Sequence, residues 1–99
     1  MSSIILFESK KVRRIWSEED QRWYFSIIDV CEILSGTDNP RRYWSDLKRK
    51  LKNEGVNELY EIIVQLKIEA EDGKMRETDC ADTETLFRII QSIPSPKAE

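Results

Sequence analysis

The chain has 99 residues, 39% of them hydrophobic, which is enough for one small domain with a modest core. Its net charge of −3 excludes a protein that coats nucleic acid indiscriminately, because such proteins carry an overall basic surface. No apolar run approaches the roughly 20 residues of a membrane span, and residues 1–7 lack the pattern of a signal peptide. These features predict a cytoplasmic protein with no membrane partner.

The side chains that most enzymes use are missing or isolated. There is no histidine, which removes the commonest general base and the commonest metal ligand. Cys31 and Cys80 match no metal-binding or redox spacing, so we expect both to be buried apolar residues. We find no nucleophile–base pair and no phosphate-binding glycine loop. The sequence therefore predicts no enzyme activity, no catalytic residue, no metal site and no cofactor.

The first part of the chain is rich in β-branched and aromatic residues. Residues 4–8 form a short apolar run that is typical of an edge strand. Two further runs, 10–17 and 22–25, are separated by four polar residues. This pattern predicts a β-hairpin, although its loop contains no glycine.

A pair of helices is predicted next. Ser26 and Asp29 have the spacing of a capping box, which would open a short helix that ends near Leu34. A glycine-containing turn at 35–38 leads into a second helix. Two helices joined by such a turn form a helix-turn-helix arrangement, in which the second helix is free to enter a groove of DNA.

The second helix carries termination signals at both ends. Asn39 is a favourable N-cap, and Pro40 suits the first helical position because no amide hydrogen is needed there. Gly55 supplies a left-handed residue that ends the helix. We therefore expect a helix that begins at residue 40 and ends just before residue 55.

The two faces of this helix differ in chemistry. Residues 40–53 carry six basic side chains and one acidic side chain, a local charge of +5 in an acidic protein. Lys and Arg displace counterions from a phosphate backbone, and arginine also addresses guanine edges in the major groove. The alternative is a solvated amphipathic helix whose charges only maintain solubility. At about 100° per residue, the inner face holds Tyr43, Trp44, Leu47 and Leu51. The predicted outer face holds Arg41, Arg42, Ser45, Lys48, Arg49 and Lys52, and Asp46 and Lys50 lie at the borders.

A second hairpin is predicted towards the C-terminus. Residues 64–70 alternate between apolar and polar side chains, and Asp72-Gly73 is a strong turn signal before a return strand at 74–79. We expect this hairpin to bring Lys67, Lys74 and Arg76 near one another, as a wing that contacts phosphates beside the basic helix. The alternative is an ordinary hairpin of mixed charge, because four acidic residues lie close by.

The start of the last predicted helix accounts for the position of several acidic residues. Asp82 or Thr83 is expected to cap it, and Pro94 to stop it. Asp79, Asp82 and Glu84 also suggest a magnesium-dependent nuclease, since clustered carboxylates hold this ion. We reject this interpretation, because a helix start favours negative charge without any metal.

Taken together, these stretches resemble the N-terminal domain of the BRO family, found in baculovirus BRO proteins and in prophage antirepressor-like proteins. The likeness runs from about Val12 to Glu99. Its most telling segments are WYF at 23–25 leading into IDV at 28–30, NPRRYW at 39–44, and TETLFRIIQSIPSPKAE at 83–99. In the family the last segment continues into an aromatic and basic stretch, so we expect this chain to be a single N-terminal domain trimmed from a longer protein.

The resemblance implies DNA binding within a phage or prophage antirepressor-like transcriptional regulator, with residues 41–52 as the contact surface. It also leaves a second interpretation open, because an antirepressor can act by binding a repressor protein or by self-association. The fold we expect is α+β: small antiparallel hairpins or a sheet packed with about three to four helices, including the helix-turn-helix-like segment. The predicted partner is double-stranded DNA, with a repressor protein or a second copy of the chain as alternatives.

Overall fold

The computed structural model describes residues 2–7, 10–55, 62–70 and 72–93. Within these ranges the chain forms a five-stranded antiparallel sheet and three helices, which confirms the predicted α+β class. The strands are β1 (Ser2–Phe7), β2 (Lys10–Ser17), β3 (Arg22–Ser26), β4 (Val64–Glu69) and β5 (Met75–Ala81), and the helices are α1 (Ile27–Ser35), α2 (Pro40–Asn53) and α3 (Thr83–Ile90). No helix in these ranges is long and apolar enough to cross a membrane.

The strands lie in the order β1-β2-β3-β5-β4, so both predicted hairpins and the predicted edge strand are present. The β2–β3 turn contains no glycine, and Gln21 adopts the left-handed conformation there, with φ 54°. Its side-chain amide donates to the Glu18 carbonyl at 2.6 Å, which helps to hold the turn. The β4–β5 turn places Gly73 at φ 82°, with its amide donating to the Ala70 carbonyl at 2.9 Å.

The predicted capping box of α1 is wrong. Ser26 occupies the N-cap position, but its side chain makes no capping hydrogen bond. The Asp29 carboxylate instead accepts from the Arg13 amide at 2.9 Å and from Arg13 Nε at 2.8 Å. Strand β2 supplies a stronger donor, because a charged guanidinium binds a carboxylate more tightly than a neutral amide does.

The predicted limits of α2 are confirmed. The Asn39 side chain accepts from the Arg42 amide at 3.2 Å, and Pro40 begins the helix. Gly55 lies at φ 81°, with its amide donating to the Lys52 carbonyl at 3.2 Å. The sequence after this helix also favours a short helical turn over 56–60, and these residues lie outside the described ranges.

Two buried clusters hold the sheet and the helices together. The larger joins all three helices to the sheet, through residues such as Val12, Ile27 and Ala81. The smaller lies around Ile68 and includes Cys80. Both cysteines are fully buried, as expected, and burial raises the pKa of each thiol to about 12. Neither thiol is therefore ionised at neutral pH.

Candidate nucleic-acid interface

Helix α2 is anchored by the aromatic and aliphatic face that the sequence predicts. Trp44, Leu47 and Leu51 are 3%, 6% and 4% exposed, and they belong to the core cluster that α1 also enters. Tyr43 packs against the same cluster from its edge. Because this stripe is buried, the basic side of α2 points away from the body of the protein.

Arg41 and Arg42 occupy the first turn of α2, and both are exposed. Neither guanidinium forms a hydrogen bond or an ion pair with any residue that the structure describes. No acidic residue lies in this turn, although the helix dipole favours negative charge there. Two cations at this end of a helix cost local stability, on the order of 0.3–1 kcal/mol each. Their placement is therefore not explained by the stability of the helix.

Lys48 is engaged with the sheet. Its ammonium lies 2.9 Å from Asp79 Oδ2, and its side chain is only 30% exposed. The same carboxylate accepts from Trp44 Nε1 at 2.7 Å and from Gln65 Nε2 at 3.2 Å. Burial opposes ionisation of Asp79, but these hydrogen bonds outweigh it and hold its pKa below the usual value. Asp79 thus fastens α2 to strands β4 and β5.

The remaining predicted residues of α2 stay on the surface. Ser45, Arg49 and Lys52 are all exposed. Arg49 Nη2 lies 2.6 Å from Asp46 Oδ1, with side chains that are 67% and 59% exposed. The structure therefore brings Arg41, Arg42, Ser45, Arg49 and Lys52 together on one solvent-facing side, which we call the basic face.

The predicted wing is not a single cluster of cations. Lys67 lies opposite Glu77, whereas the neighbouring Arg76 lies opposite Ile68, so Lys67 and Arg76 project from opposite sides of the hairpin. The Arg76 guanidinium also pairs with Asp72. Lys74 is exposed beside the turn. Lys67 and Arg76 therefore do not share a face of the hairpin, because consecutive strand positions alternate between the two faces.

The acidic residues near α3 have partners of their own. Asp82 caps α3 by accepting from the Thr85 amide at 2.9 Å, as predicted, and it pairs with Arg22 Nη1 at 2.9 Å. Burial opposes ionisation of Asp82, but the Thr85 and Arg22 contacts dominate and lower its pKa. In the described ranges no three Cys, Asp or Glu side chains converge into a group that could hold a metal ion.

Comparison with known protein families identifies the family of this chain. The sequence profile described as BRO family, N-terminal domain, matches residues 11–99. The matched range includes α2 and the β4–β5 hairpin, and it confirms the resemblance noted from the sequence. No curated protein and no solved structure matches the chain.

Proposed function

The chain belongs to the BRO family, as its N-terminal domain, and we propose that it binds double-stranded DNA within a phage or prophage antirepressor-like transcriptional regulator. Membership supports a DNA-binding domain of the phage antirepressor-like type in general. We propose that the basic face of α2 makes the contact. We further propose binding without catalysis, because the sequence shows no nucleophile–base pair.

The observation that carries this proposal is the state of Arg41 and Arg42. Both are exposed, neither is paired with a described carboxylate, and both lie at the helix end that disfavours positive charge. A DNA strand placed there would meet the positive charge of both guanidinium groups and of the helix N-terminus. A polyanionic ligand therefore accounts for an arrangement that is unfavourable without one.

Duplex DNA suits the shape of the region. An α-helix is about 10–12 Å across, which matches the roughly 12 Å width of the major groove. Helices α1 (Ile27–Ser35) and α2 (Pro40–Asn53) are joined by a four-residue turn, 36–39, as in helix-turn-helix domains. We place Lys67, Lys74 and Arg76 outside the main contact, because Lys67 and Arg76 project from opposite sides of the hairpin.

The proposal is tested by measuring how affinity for duplex DNA depends on salt. Fluorescence anisotropy of labelled genomic duplexes should give an affinity that falls as salt rises, with a log–log slope of about −0.9 per neutralised phosphate. Arg41→Ala should make that slope shallower by about 0.9. The control is Arg22→Ala, which removes an exposed guanidinium from β3 and should leave the slope unchanged. Binding that is absent, or independent of salt, contradicts the proposal.

A second candidate function is contact with a protein, either a repressor or another copy of the chain. It is favoured by exposed apolar side chains: Phe87 is 63%, Met75 is 57% and Ile62 is 45% exposed. Exposed aromatic residues are frequent anchors of protein interfaces. All three lie outside α2, so a protein contact there and a DNA contact on the basic face are compatible.

A further inference from the structure

The outward pole of α2, opposite its buried stripe, carries two arginines. At about 100° per residue, Arg42 and Arg49 fall diametrically opposite the stripe of Trp44, Leu47 and Leu51. Both arginines are exposed, and Arg49 has 67% of its side chain in solvent. A helix that enters a groove with its buried side away from the DNA therefore places these two guanidinium groups deepest in the groove.

The residue types around this pole differ from those on its flanks. Ser45, Asp46 and Asn53 are exposed beside the two arginines, and each type forms hydrogen bonds with base edges. The flanks carry residues of the phosphate-binding type, Arg41 and Lys52 on one side and Lys50 on the other. A face that met phosphates alone would gain nothing from a carboxylate beside its arginines, because a carboxylate and a phosphate repel each other.

Asp46 has a defined contact within this group. Its Oδ1 accepts from Arg49 Nη2 at 2.6 Å, one helical turn along the same face. Ion pairs of this kind on an exposed helix stabilise it by only about 0.3–0.5 kcal/mol. The contact also limits the orientations of the guanidinium, because it restrains one nitrogen while the other N–H groups of the fork stay available as donors.

We infer that α2 reads base edges, with Arg42 and Arg49 each contacting a guanine and Asp46 acting as the positioning residue for Arg49. The two arginines are seven residues apart, a rise of about 10 Å along the helix. Successive base pairs are about 3.4 Å apart, so if α2 lies along the duplex axis, the preferred duplex contains two guanines separated by about three base pairs. This inference rests on the proposed duplex binding and adds a preference for sequence to it.

The inference is tested by selection from a library of duplexes with a randomised central region, using the 99-residue chain and its variants. The wild-type chain should enrich two guanines about three base pairs apart. Arg42→Ala should remove the preference at one position and Arg49→Ala at the other, each by about 5- to 150-fold relative to competing bases.

Variants at Asp46 separate positioning from general electrostatics. Asp46→Ala should relax the guanine preference at the Arg49 position and leave the Arg42 position intact. Asp46→Asn keeps an oxygen acceptor and should restore most of the preference. The control, Lys50→Ala, should weaken binding to all sequences equally.

A uniform change in affinity with an unaltered preference in Arg49→Ala and Asp46→Ala overturns the inference while leaving DNA binding in place. Failure to retain any duplex overturns the proposed function as well.

Discussion

Two aspartates that contact side chains of α2 have different roles. Asp46 is 59% exposed on the basic face, whereas the Asp79 side chain is 11% exposed and accepts hydrogen bonds from three side chains. Because Asp79 binds a lysine and an indole of α2, it fixes the rotation of that helix on the sheet. The direction in which the basic face points therefore depends on a carboxylate that lies outside α2.

Loss of Asp79 should weaken the fold in a pH-dependent way. Asp79→Ala leaves Lys48 and the Trp44 indole without their acceptor, which should cost about 2–3 kcal/mol at pH 7. The pKa of Asp79 is lowered by folding. Its contribution to the free energy of unfolding is therefore complete above its pKa in the unfolded chain, near about 4, and is lost as pH falls through its pKa in the folded protein. Urea unfolding at pH 7 and pH 3 checks this, since the difference between wild type and variant should shrink at pH 3. Asp79→Asn, which keeps an acceptor, should be the milder change; an equal penalty at both pH values contradicts the prediction.

At the scale of elements, α2 combines strong local signals with an unfavourable charge distribution. Asn39 and Pro40 define its start and Gly55 its end, while Arg41 and Arg42 oppose the helix dipole. The charges of its C-terminal turn suit the helix dipole, because Lys50 and Lys52 lie at the end where the dipole favours cations. The N-cap thus stabilises the end of the helix at which the proposed DNA contact begins.

Removal of that cap should be measurable in stability. Asn39→Ala deletes the acceptor of the Arg42 amide, and we expect a loss of about 1 kcal/mol in the free energy of unfolding. Circular dichroism during urea unfolding provides the measurement. Asn39→Asp is the matched control, since it retains the acceptor and adds a charge that the dipole favours. A loss of the same size in both variants would assign the effect to something other than capping.

At the scale of the whole molecule, the charge is divided between the two parts of the chain. Residues 1–53 carry a net charge of +3 and residues 54–99 a net charge of −6. The positive part contains the basic face, and the negative part contains α3, where Phe87 is 63% exposed. The basic face therefore offers a local positive surface to an anionic ligand within an acidic protein, while Phe87 on another helix offers an apolar anchor to a protein partner.

The protein-contact candidate makes its own prediction. If α3 joins two copies, sedimentation velocity of the chain should show a mass that rises with concentration. Phe87→Ser should then weaken association by at least about tenfold, because burial of a phenylalanine contributes about 1.5–3 kcal/mol. Met75→Ser, which removes another exposed apolar side chain but from β5, tests whether that strand belongs to the same interface. A monomeric mass at all concentrations contradicts self-association; pull-down with a phage repressor then tests the other partner.

The sequence by itself determined the elements whose signals are local. Asn39, Pro40 and Gly55 act within a few residues of themselves, so both ends of α2 could be predicted. The alternation in 64–70 and the Asp72-Gly73 turn likewise predicted the second hairpin, because strand period and turn conformation are properties of neighbouring residues. The basic face followed in the same way from helical periodicity.

Only the tertiary structure decided which charges remain available to a ligand. Lys48 looks equivalent to Arg49 in the sequence, but its partner Asp79 lies 31 residues away and withdraws it from the basic face. Asp29 looks like a capping residue, but Arg13 reaches it from another strand. Ion pairs form between groups that folding brings within about 4 Å, whatever their separation along the chain, so helical periodicity alone could not identify these pairs.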